Sequence, residues 1–136
     1  MNSRIPRIIF FGLLTLVAFS ELLFSNIGTL TGNMTSVATM LGLTLEQERI
    51  RLLILIALDA IAGIGAVIAV IGLLRRNGLL AVGARICAIG FVAYGLYQLF
   101  AALTQLGAAV RGPVMGAGGT YLLVGIVAWF VGRRAA

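Results

Sequence analysis

The sequence contains no histidine and no lysine, a single cysteine, and only four acidic residues among 136. Each shortage excludes something. Without histidine the chain lacks the commonest metal ligand, the usual general base and the proximal haem ligand. Catalysis is therefore not expected of it, nor a metal site or a cofactor. One cysteine excludes an internal disulfide, and Cys87 stands in an apolar stretch, where a small buried hydrophobe is its ordinary role. There is no phosphate-binding loop and no nucleophile paired with a base. The glycines of Gly116-Ala117-Gly118-Gly119 follow a loop instead of a strand, so they fail the context that a dinucleotide fingerprint requires.

Charge is scarce as well: 10% of residues are charged and 61% are hydrophobic. A soluble domain of this length could not cover so much apolar side chain with so little polar surface, so the solvent is expected to be largely lipid. The ten basic residues are all arginine and give a net charge of +6. Because they stand singly or in pairs at the ends of apolar runs, the expected partner is the lipid bilayer with its anionic headgroups, and not nucleic acid.

What the chain does have is apolar length. A helix needs about 20 apolar residues to cross the hydrocarbon. Four runs meet this, and they are expected as helices over 8–27, 45–74, 79–103 and 114–131, joined by an outer loop over 28–44. Transmembrane strands would alternate apolar and polar residues, which these runs do not. The fold class expected is an all-α integral membrane protein, a single domain over 1–136 built as an antiparallel bundle of four transmembrane helices. The first run resembles a secretory signal, with Ala18-Phe19-Ser20 ahead of Glu21. Apolar character resumes at Leu22, however, and the segment is kept as the first helix.

If the four runs alternate, Arg4, Arg7, Arg75, Arg76, Arg133 and Arg134 fall on one side, against Arg49, Arg51 and Arg111 on the other. That asymmetry places both termini in the cytoplasm, in the inner or plasma membrane of a prokaryote. Arg75, Arg76, Arg85, Arg133 and Arg134 are the candidates for contact with lipid headgroups; Arg85, about 9 Å into its helix, can snorkel back toward the cytoplasm. Arg75-Arg76-Asn77-Gly78 makes a tight turn between the second and third helices. Thr44 and Gln47 form a capping box that starts the second helix at Leu45, with Glu46 and Glu48 each three residues ahead of an arginine. A short helix over 36–41 is expected within the outer loop.

Two groups of residues are candidates for function. Gly118, Gly125 and Gly132 recur every seven residues, as do Gly65 and Gly72. Such a stripe lets a second helix come close, either inside the bundle or from a partner subunit. Glu21 and Asp59 are carboxylates within spans. By helical rise they lie about 21 and 24 Å from the cytoplasmic arginines, and Tyr94 and Tyr121 reach the same outer-half level. The four are expected to form a buried polar cluster, structural or ligand-binding. The function expected first is that of an accessory or structural subunit packed against a larger membrane complex. The alternative is a homo-oligomeric small transporter or channel that uses the outer carboxylates to couple protons or cations.

Overall fold

The structure is a computed structural model and describes residues 4–133; Arg134 lies outside the described residues. Among these residues the chain is all-helical, and four helical stretches are long and apolar enough to cross a membrane: Arg4–Leu41, Leu45–Arg75, Leu79–Thr104 and Ala108–Arg133.

The first stretch departs most from expectation. Helix α1 (Arg4–Ser20) runs into two π-helical segments, Glu21–Ile27 and Thr29–Asn33, and then into α2 (Met34–Leu41). Residues 28–41, expected as loop around a short helix, are therefore helical nearly throughout, and at 1.5 Å per residue the 38-residue stretch is about 57 Å long. The glycines and threonines that suggest a loop are accommodated inside it. Thr31 and Thr39 donate their hydroxyls to the carbonyls four residues back, Ile27 at 2.9 Å and Thr35 at 3.0 Å. This bond turns a polar side chain into part of the helix.

What remains of the loop is Gly42-Leu43-Thr44. Gly42, at φ 77°, ends α2 in the left-handed region. Its N–H donates to Thr39 O at 3.2 Å and that of Leu43 to Ala38 O at 2.9 Å, the paired bonds of a Schellman motif. Thr44 then caps α3 (Leu45–Arg75) by the expected reciprocal bonds with Gln47, at 3.0 and 3.1 Å. Helix α4 (Leu79–Thr104) follows the tight turn at Arg76-Asn77-Gly78, where the Asn77 side chain accepts from Leu79 N–H at 3.0 Å.

Helix α5 (Ala108–Arg133) begins six residues before the expected position 114, with Pro113 inside it. The Arg111 guanidinium reaches back from this added turn to the carbonyls of Ala102 at 2.9 Å and Leu106 at 3.3 Å. It thereby satisfies acceptors left open at the end of α4.

Neighbours in sequence are neighbours in space: α1 packs on α3, α3 on α4 and α4 on α5. Helices α1 and α5 approach through side chains, with Phe11 beside Gly132. The glycine stripes lie in the two central interfaces. A Cβ on Gly65 or Gly72 would come under 3.0 Å from the backbone of α4, at Cys87 and Leu80. On α5, a Cβ on Gly118 or Gly125 would likewise meet the α4 backbone, at Gly95 and Val92, and one on Gly132 would collide with the Ala84 methyl group. Both stripes thus serve packing inside the bundle, so neither is available to a partner subunit. Gly83 and Gly90, on the α4 side of the α3 interface, are as tightly covered. Close approach of this kind is what holds helices together wherever the solvent is hydrocarbon, which supplies no hydrophobic drive between them.

Candidate functional site

Helices α1, α3 and α4 each bury a stripe with alternating steps of four and three. On α3 it runs Glu48, Leu52, Leu55, Asp59, Ala62, Ala66, Ala69, Leu73. On α4 it includes Leu80, Ala84, Cys87, Phe91, Tyr94 and Gln98. This spacing follows one face of a helix. The polar residues on these stripes are carried inward by their apolar neighbours, and that places Asp59 and Tyr94 in the interior.

The buried stripe of α1 is Arg7, Phe11, Leu14, Ala18. The same rule brings Glu21 next and Ser25 after it, but the buried residue is Asn26. In an α-helix residues five apart point about 140° from one another. The i→i+5 pairing of a π-turn widens the coil and brings them to nearly the same side. The π-helical segment therefore moves the stripe by one residue and sets Asn26, instead of Ser25, against α3.

The four residues predicted from depth are brought together, with Asn26 as a fifth. The Asn26 amide donates to Asp59 Oδ2 at 2.6 Å. Tyr94 donates its hydroxyl to Glu21 Oε1 at 3.2 Å, and Ser25 donates to Glu21 Oε2 at 3.4 Å. Tyr121 stacks on Phe91, with ring centroids 5.7 Å apart and planes 14° from parallel, and tilts against Tyr94 at 4.5 Å. Asp59 is fully buried, whereas Glu21 is half-buried. Asp59 Oδ1 is buried and accepts no hydrogen bond among the described residues.

Electrostatically the cluster is one-sided. The two carboxylates are near enough for their charges to interact. The partners around them, Asn26, Ser25 and Tyr94, donate hydrogen bonds but carry no positive charge. Amide and phenol donors stabilise a carboxylate without neutralising it, and burying two like charges is costly. The arrangement suits a positively charged occupant: a proton, or a small cation seated between the two acids. Among the described residues no group of three or more histidine, cysteine or acidic side chains is placed to hold a metal ion.

A second polar layer lies about 16 Å further along α3, by helical rise from Asp59 to Glu48. Arg51 pairs with Glu48 through two bonds, at 2.5 and 3.1 Å, and both side chains are buried. The Glu46–Arg49 pair, with the same spacing, is largely exposed at 3.2 Å. Sequence spacing alone does not separate the two pairs. The four-three stripe does, since Glu48 lies on it and Glu46 does not.

The remaining site candidates lie at the opposite end. Arg75 and Arg76 are exposed at the α3–α4 turn. Arg85 stacks its guanidinium over Trp129 at 5.9 Å from the ring centroid, and Arg133 lies over Phe130 at 5.7 Å. Comparison with known proteins gives no matching family model, no matching curated protein and no matching solved structure.

Proposed function

We propose that this is an integral membrane protein, with both termini in the cytoplasm, that binds a proton or small cation at Glu21 and Asp59 in the outer half of its bundle. The observation that carries the reading is the buried Asp59 carboxylate. It has one neutral donor, an unpartnered oxygen and a second carboxylate as its neighbour. Ionisable groups at such depth are costly and commonly mark ion or proton sites. The π-helical segment at Glu21–Ile27 supports the same reading, because π-turns occur frequently at functional sites. An accessory-subunit role draws less support than the sequence offered it, since both glycine stripes are occupied within the bundle.

The test is cation binding by the protein in lipid nanodiscs, titrated with sodium, potassium and a small alkylammonium ion at two pH values. Proton uptake is followed by the infrared carboxyl stretch. Asp59→Asn is expected to abolish the acid band or the cation response, and Glu21→Gln to weaken it by about tenfold, the effect of roughly 1.4 kcal/mol. If both variants retain the wild-type titration and spectrum, the site is structural and the proposal fails.

A further inference from the structure

Away from the carboxylates, α4 and α5 form a composite depression on their exposed side. Toward the Arg133 end of α5 it is a small cavity of about 120 Å³ lined by Arg85, Arg133 and Trp129 together with Ala81, Ala84 and Gly132. Trp129 is shared with a second, wholly apolar groove of about 470 Å³, whose walls include Ile89, Val92, Leu96 and Ile126. This groove follows α4 from Ala88 to Leu96, about 12 Å by helical rise, toward the centre of the span.

We propose that this depression seats one anionic phospholipid, its phosphate between Arg85 and Arg133 and an acyl chain along the groove. Three observations commit the site to that occupant. The polar and apolar parts are ordered as a lipid is, headgroup at the end of the span and tail inward. The charge is unopposed locally, since among the described residues neither Arg85 nor Arg133 is paired with a carboxylate. Finally, Arg85 is held at mid-slope by stacking on Trp129, so its guanidinium stays beside the groove. Stacking leaves its N–H fork free to meet phosphate oxygens, geometry in which arginine excels.

Native mass spectrometry of the full chain tests this, with phosphatidylglycerol and phosphatidylcholine of identical acyl chains competing at equal concentration. One phosphatidylglycerol per chain is expected, preferred roughly thirtyfold, the scale set by two arginines near an anionic lipid. Arg85→Gln with Arg133→Gln is expected to bring that preference close to parity. Ala93→Trp, which fills the groove and leaves the arginines in place, is expected to lower occupancy by both lipids. Glycerol phosphate without acyl chains is expected not to displace the bound lipid. Equal retention of the two lipids by the wild type, an unchanged preference in the double variant, unaltered occupancy in Ala93→Trp, or displacement by glycerol phosphate would each overturn the assignment.

Discussion

Asn26 supplies the one hydrogen bond that Asp59 receives among the described residues, at 2.6 Å, and this decides what substitution at either position does. Removing one partner of a buried pair leaves the other unsatisfied, at about 1–3 kcal/mol, whereas replacing both by apolar groups of similar shape is nearly neutral. Asn26→Leu and Asp59→Leu are each expected to lower stability by that amount. The double variant should lose clearly less than their sum in a denaturant titration of the reconstituted protein. Additive losses would show that the contact does not couple the helices. Glu21, Asp59, Tyr94 and Tyr121 were legible in the sequence because depth along a helix follows from counting residues. Asn26 was not, since its inward position depends on the widened turn, which no residue between Glu21 and Ile27 announces.

At the scale of elements the same glycine substitution has opposite consequences at different places. A Cβ on Gly65 would meet the α4 backbone at under 3.0 Å, and backbone cannot swing aside as a side chain can. Overpacking of this kind costs about 1–3 kcal/mol. Gly12, also helical, has nothing within 4 Å of an added Cβ, and alanine there gains roughly 0.5–1 kcal/mol of helix preference. Thermal unfolding in one detergent should therefore place Gly65→Ala below the wild type and Gly12→Ala at or above it. The opposite ranking would contradict the α3–α4 interface. The capping box and the Asn-Gly turn were legible because their signals are local. The helix through 28–41 was not: glycine, serine and threonine indicate loop when read one by one, and only hydroxyl-to-carbonyl bonds such as those of Thr31 and Thr39 make them helical. The early start of α5 was hidden for a related reason. Arg111 secures that turn through carbonyls of α4 and the turn after it, a contact formed only after folding.

For the whole molecule, the order of the helices gathers the start of α1, the α3–α4 turn and the end of α5 at one end, and the Gly42 and Gly107 turns at the other. The two latter turns are joined by the Gly107 N–H donating to Leu41 O at 2.9 Å, so the far end closes as a unit. The first end carries Arg4, Arg7, Arg75, Arg76 and Arg133 among the described residues. The second carries Arg49, Arg51 and Arg111, but Arg49 and Arg51 pair with glutamates and Arg111 is bonded to carbonyls. Arginine retained on the cytoplasmic side sets the orientation of short-looped membrane proteins, with acids contributing little. The imbalance of five to three supports the proposed orientation, in which the hairpin turn faces inward. Cys87 is the single cysteine of the sequence, so a Cys87→Ser background carries no competing thiol. In intact cells, a membrane-impermeant maleimide is expected to label Glu46→Cys in that background and to leave Asn77→Cys unlabelled until the membrane is opened. Because Glu46 and Asn77 are both exposed and flank the two ends of α3, reversed labelling would invert the molecule. It would also place Glu21 and Asp59 in the cytoplasmic half, and any cation bound there would come from inside the cell.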